Sequence, residues 1–186
     1  MRVAILLFQG VEELDFVGVY EVLAKARLYG CNVEVRTIAK ENSIKCANGL
    51  IVVPHESLEG IYTYDVLVIP GGRGINSLME DKELLEHIKT FSKEKMVCSV
   101  CTGAFLLAKA GILEGKKATT HHAYLDILAK LCQVENKRVV EDGKIMTSGG
   151  VSASIDLGIK ILERFCGSEV ARKVVERIEW PSASND

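Results

Sequence analysis

This chain of 186 residues has no long hydrophobic run. A membrane span needs ~20 apolar residues in succession. The opening run from Val3 to Phe8 stops at Gln9-Gly10-Val11-Glu12-Glu13. That predicts no membrane partner and no secretory leader, and places the protein in the cytoplasm. Charge of one sign is also missing. Lys and Arg number 23, Asp and Glu 25, and the formal net charge is -2 without a block of either sign. The electrostatic case for nucleic acid as a partner is therefore absent. There are only 3 prolines, no Pro/Ser-rich linker and no internal repeat. One domain over residues 1–186 is expected, large enough for a sizeable core. Neither an H-x-x-x-H nor a paired C-x-x-C spacing occurs, so no metal and no cofactor are expected.

Apolar residues make up 48% and charged residues 26%, the balance of a globular protein. The six cysteines (Cys31, Cys46, Cys98, Cys101, Cys132, Cys166) are scattered. In a reducing compartment they are expected as thiols, most of them serving as small buried apolar groups.

Arg2-Val3-Ala4-Ile5-Leu6-Leu7-Phe8 reads as a strand buried on both faces of a parallel sheet. Leu14, Val17, Val22 and Leu23 then recur at helical spacing to about Tyr29, and Gly30 closes the helix. Residues 33–38 read as a second strand, and residues 44–53 as a hairpin about Asn48-Gly49. Asp65-Val66-Leu67-Val68-Ile69 is a further buried strand that ends at Pro70-Gly71-Gly72, where bare backbone can approach a ligand. A helix is predicted over 76–91 and a strand over 96–100. Ala118-Thr119-Thr120 reads as a short strand ending at His121-His122. Residues 138–148 form a second hairpin about Asp142-Gly143. After Gly149-Gly150, helices are predicted over about 152–165 and 168–178. Alternation of strands and helices predicts an α/β fold, a mostly parallel sheet with helices on both faces. Ligands of such sheets bind beyond the carboxyl ends of the strands. Residues 10–15, Pro70-Gly71-Gly72, Cys101-Thr102 and His121-His122 fall there, with Gly149-Gly150 a fifth candidate.

The strand Met96-Val97-Cys98-Ser99-Val100 passes directly through Cys101-Thr102-Gly103 into a small-residue helical pattern. That is the pattern of a cysteine nucleophile elbow, a sharp turn that presents a reactive side chain at the top of a sheet. A helix start there is expected to lower the thiol pKa. Cys98 and Cys101 make a formal C-x-x-C, but strand alternation turns them to opposite faces, against a disulfide between them. A buried structural cysteine is the plainer alternative for Cys101.

These segments, in this order, resemble the ThiJ/PfpI superfamily, a branch of the class I glutamine amidotransferase-like fold, over nearly the whole chain. The resemblance is carried by residues 4–8 with Glu12-Glu13-Leu14-Asp15, by Val68-Ile69-Pro70-Gly71-Gly72, by Cys101-Thr102-Gly103-Ala104, by Ala118-Thr119-Thr120-His121 and by Thr147-Ser148-Gly149-Gly150. It implies a flavodoxin-like three-layer sandwich and a homodimer. Peptidase-like members have histidine directly after the cysteine, where this chain has Thr102, which argues against proteolysis. Asp15, in the run Asp15 to Leu23, stands where many relatives have glutamate. It is similar in this to isocyanide hydratases, and equally to the amidotransferase-like domains of AraC-type regulators. The regulators need a helix-turn-helix domain for which there is no room. The hydratases usually end in a Tyr-Asp-Pro-x-Pro-Pro tail, whereas this chain ends Glu179-Trp180-Pro181 and then polar residues 182–186.

The resemblance implies a small electrophilic substrate. Cys101 would attack an isocyanide carbon to give a thioimidate, with Asp15 bonded to the sulfur as proton shuttle and its pKa raised. The backbone N–H groups of Gly72 and Thr102 would polarise the intermediate, and the Thr102 hydroxyl would hold a water. Gly71, His121, Gly150 and Val151 are expected to line the pocket. Glu12 and Glu13 are expected to be solvated charges, and His55 and His87 surface residues. Two alternatives stay open: glyoxalase or deglycase chemistry on methylglyoxal, and an oxidative sensor in which Cys101 itself is oxidised.

Overall fold

The apolar run that opens the chain becomes an interior strand of a parallel sheet in the computed structural model, which describes residues 1–181. In chain order the elements are β1 (Arg2–Leu6), α1 (Glu13–Lys25) with a 3-10 turn (Ala26–Tyr29), β2 (Glu34–Ala39), β3 (Ile44–Lys45), β4 (Ile51–Val52) and β5 (Glu56–Ser57). There follow β6 (Val66–Ile69), α2 (Ile75–Leu78), α3 (Lys82–Glu94), β7 (Met96–Val100) and α4 (Gly103–Lys109). The last third holds β8 (Lys117–Ala118), α5 (Leu125–Leu128), β9 (Gln133–Val134), β10 (Val139–Asp142), β11 (Ile145–Ser148), α6 (Ala153–Cys166) and α7 (Ser168–Arg177).

The main sheet has seven strands in the order β10-β11-β7-β6-β1-β2-β5, all parallel except for the antiparallel β10–β11 hairpin. Every residue of β6 and β7 is buried, which is why both read as continuous apolar runs. Helices α1, α6 and α7 pack against one another, while α2, α3 and α4 form a separate group. The sheet lies between the two groups, giving the three-layer α/β sandwich of flavodoxin-like folds. Among the described residues no helix is long and apolar enough to cross a membrane.

Four expectations change. The helix over 76–91 is two helices, because Asp81 adopts extended backbone and accepts the Leu84 N–H on Oδ1 (3.0 Å), capping α3 afresh. The strand at 118–120 pairs only through Lys117–Ala118, with β9 in a separate two-stranded sheet. Thr119 and Thr120 bond instead to Thr147 (2.8 Å) and to the Cys101 carbonyl (2.7 Å). Leu14 and Val17 do not join the core; they are 40% and 41% exposed. Helical spacing identifies an apolar face but not what covers it.

The fourth change concerns cysteine. Cys31 and Cys166 form a disulfide across 135 positions, so these two are not thiols. The pairing has no local signal. It arises because α7 folds back onto the 3-10 turn after α1, bringing the start of β2 beside the end of α6. Closing so long a loop restricts the unfolded chain, typically worth about 2–4 kcal/mol. Cys166→Ser is expected to lower the midpoint of thermal unfolding, and reductant to do the same to the wild type but not to the variant. Identical melts in all three cases would show that the bond carries no stability.

Candidate active site

Cys101 stands at the carboxyl end of β7 with φ +55, a left-handed backbone that a non-glycine residue rarely adopts. Neighbouring groups hold it there. Its N–H donates to the carbonyls of Ser148 (3.1 Å) and Gly149 (3.2 Å), and its own carbonyl accepts the Thr120 hydroxyl. The elbow is thus clamped by the end of β11 and by the segment after β8. Thr120, Ser148 and Gly149 were not assigned this positioning role from sequence, since contacts across 19 to 48 positions leave no local trace.

Asp15, in the first turn of α1, is fully buried. Its Oδ2 accepts the Gly71 N–H (2.8 Å), while Oδ1 is buried with no hydrogen-bond partner among the described residues, and the Cys101 thiol lies close enough to favour the ionised carboxyl. Burial, with the nearby charge of Glu12, pushes the Asp15 carboxyl up to about 7, against the opposing pull of the Gly71 N–H and the thiol. The same burial, and then the charge of Asp15, pushes the Cys101 thiol up to about 12. The expected lowering of the thiol pKa is therefore reversed: the Thr102 N–H and hydroxyl favour the thiolate, but desolvation and the carboxylate outweigh them. At rest the sulfur carries its proton, and the Asp15 carboxyl stands beside it.

Thr102 opens α4 without capping it; its Oγ1 accepts the Gly72 N–H (3.1 Å). Gly72, expected as a free backbone donor, is thus already engaged, and the hydroxyl proton of Thr102 is left to point elsewhere. Gly71 sits so close that a Cβ there would lie 2.6 Å from Thr102 Oγ1 and 2.9 Å from Asp15 Oδ2. On the far side, a Cβ at Gly150 would lie 2.8 Å from Cys101 Sγ and 2.7 Å from His121 Cδ2. Those two distances bound the gap between the sulfur and the His121 ring at 5.5 Å. His121 Nδ1 accepts the Ala123 N–H (3.2 Å), and burial beside His122 lowers its pKa, so the ring is neutral with its proton on Nε2. Val151 lies one residue further on, half-buried, where the chain turns into α6.

Glu12 and Glu13 are not merely solvated: the Asn48 side chain donates to Glu12 (3.0 Å) and Glu13 (2.7 Å), tying the β3–β4 hairpin to the start of α1. His55 and His87 stay at the surface, bonded to Thr37 and Tyr62. Cys98 is fully buried as a free thiol and takes no part in a bond to Cys101. Residues 182–186, the polar end that departs from the hydratase tail, lie outside the described residues.

Gly150→Ala is expected to slow alkylation of Cys101 by roughly 100-fold, because a methyl group would occupy the approach to the sulfur at sub-van der Waals distance. An unchanged rate with a native melt would place the approach on another side.

The model of the DJ-1/PfpI family matches residues 1–164. The chain belongs to the DJ-1/PfpI family. Over 186 aligned residues it is 37% identical to the isonitrile hydratase of Pseudomonas putida, covering 98% of this chain and 80% of that one. It is 32% identical to protein DJ-1alpha of Drosophila melanogaster, over 95% of this chain and 82% of that one. The crystal structure of Drosophila DJ-1beta superposes with a TM-score of 0.88 at 24% identity, over 97% and 98% of the two chains. The DJ-1/PfpI match ends before Cys166 and α7, so half of the disulfide lies beyond it.

Proposed function

We propose that this protein is a cysteine-dependent, cofactor-independent hydratase that adds water across an isocyanide to give an N-formamide. One observation carries the reading: the Cys101 thiol, held protonated, stands beside a buried Asp15 carboxyl with one oxygen pinned by the Gly71 N–H and the other without a hydrogen-bond partner among the described residues. Such a pair suits an uncharged electrophilic group whose terminal carbon accepts both a nucleophile and a proton. Asp15 takes the thiol proton as Sγ bonds to the isocyanide carbon, and returns it to that carbon to complete the thioimidate. Water then adds to the thioimidate carbon. One of its protons passes through Asp15 to nitrogen, the C–S bond breaks, and the sulfur recovers its proton as the formamide forms. Thr102, with its N–H and its free hydroxyl proton, holds the developing charge and the attacking water. His121, Gly71, Gly150 and Val151 wall the pocket. The likeness to isonitrile hydratase supports the same reading.

A second reading, glyoxalase-type chemistry on methylglyoxal, is favoured by the neutral His121 ring, whose Cδ2 edge lies within 5.5 Å of the sulfur and whose Nε2 carries the ring proton that could steady a carbonyl oxygen. Its support among relatives is the likeness to DJ-1alpha. The sensor reading has less behind it, because it is the thiolate that attacks peroxide and this thiol is held protonated. Assay of the purified protein with cyclohexyl isocyanide and with methylglyoxal separates the first two. Turnover of the aldehyde alone overturns the hydratase reading.

We also propose a homodimer. Exposed Leu14 and Val17 on α1, with exposed Leu50, Ile51 and Val53 on the β3–β4 hairpin, offer an apolar face. A sedimentation mass of one chain would refute it.

A further inference from the structure

Beside the nucleophile, towards α6, lies a cavity of about 250 Å³ whose wall includes Thr120, Asn136, Lys137, Arg138 and Gly150. Two of these residues touch Cys101. The Thr120 hydroxyl donates to its carbonyl, and Gly150 stands against its sulfur. The wall holds two cationic side chains and no carboxylate.

The cations are placed rather than loose. Asp156 accepts from Arg138 Nε (2.9 Å) and from one Nη (2.5 Å), and the same Nη reaches Ser152 Oγ (3.2 Å). Among the described residues the other Nη has no partner, so that one nitrogen remains to donate to a ligand. Lys137 is held by Glu135 (2.7 Å), which also pairs with Lys117 (3.3 Å). Each cation of the wall is thus paired with one carboxylate, and both carboxylates stand outside the wall, so the side chains that face the cavity carry only positive charge.

We propose that this cavity is a carboxylate subsite: the substrate of the Cys101 site carries a carboxylate a few bonds from its electrophilic carbon, and Arg138, assisted by Lys137, receives it. The inference rests on Cys101 as the nucleophile of the proposed function, but not on the isocyanide as electrophile. It narrows the substrate class to short functionalised acids. Arg138 is the specificity residue, since its unengaged Nη keeps a charge-assisted N–H donor for the carboxylate while Asp156 holds the rest of the guanidinium in place.

The test compares iodoacetate with iodoacetamide. Both form a Sγ–CH2 bond and expel iodide, with the thiol proton passing to Asp15 and then to solvent. They differ only in carboxylate against amide. Rates at Cys101 are followed by peptide mapping in the wild type, Arg138→Gln, Lys137→Gln and, as a distant control, Lys160→Gln. The repulsion that Asp15 exerts on iodoacetate is common to all four and cancels in the comparison. The iodoacetate-to-iodoacetamide ratio is expected to fall ~10-fold or more in Arg138→Gln, by a few fold in Lys137→Gln and not in the control, the loss of a charge-assisted contact. Lys137→Gln leaves the Arg138–Asp156 pair in place, so it reads the subsite even if Arg138→Gln unfolds.

A ratio unmoved in both variants overturns the subsite. No alkylation of Cys101 by either reagent overturns the subsite and the nucleophile together. If the ratio falls as expected while no isocyanide is turned over, the subsite stands and the hydratase reading fails. If isocyanides are hydrated while the ratio is unmoved, the hydratase stands and the subsite fails.

Discussion

Cys101→Ala is expected to lower isocyanide hydration by ~10⁴-fold or more, because the covalent route disappears and only the polarising groups remain. Intact mass should show a thioimidate adduct on the wild type during turnover and none on the variant. The neighbours argue that the fold will survive. The clamp on residue 101 is made by its backbone N–H and carbonyl, with Ser148, Gly149 and Thr120, and owes nothing to the sulfur. A variant that keeps its activity would remove the nucleophile from the mechanism.

The second large effect concerns Asp15. Asp15→Asn keeps the acceptor for the Gly71 N–H but cannot take a proton, so kcat is expected to fall ~10²- to 10⁴-fold. The wild-type rate should rise tenfold per pH unit below about 7, where the Asp15 carboxyl ionises, and then level off. If free thiolate were the reacting species, the rate would instead climb steadily towards about 12. A profile without a bend near 7 would exclude Asp15 as the base.

Stability should move the other way. The Asp15 carboxyl goes from 3.8 in the free chain to about 7 in the fold, so the fold favours its neutral form. Between those values the folded chain keeps a proton that the unfolded chain has released. Stability therefore falls as pH rises through this window and stays low above it. Asp15→Asn removes that cost and is expected to be the more stable protein at pH 8, by up to about 4 kcal/mol. Loss of activity with a gain in stability is the mark of a residue kept for chemistry. A variant less stable than wild type at pH 8 would contradict the buried charge.

The sheet was legible in the sequence because parallel strands buried on both faces leave unbroken apolar runs, as β1, β6 and β7 do. The elbow was legible because a strand must turn into a helix at Cys101 with no residues to spare. The glycines at Gly71 and Gly150 marked a close approach without saying to what; the structure supplies Thr102 with Asp15 on one side and the sulfur with His121 on the other.

The sequence by itself therefore determined the fold class, the strand-to-helix turn at Cys101 and the acidic residue Asp15 at the start of α1. Each of these rests on a local pattern or an ordered set of motifs. Only the tertiary structure decided the protonation of the thiol, the Cys31–Cys166 bond, the engagement of the Gly72 N–H by Thr102 and the cationic cavity behind Gly150. The physical reason is common to all four. Desolvation, disulfide closure, donor sharing and charge placement depend on which distant segments meet, and no spacing along the chain encodes that. The pKa of Cys101 is the clearest case: the elbow motif points one way, and the burial that comes with packing Asp15 and Cys101 together sends it the other.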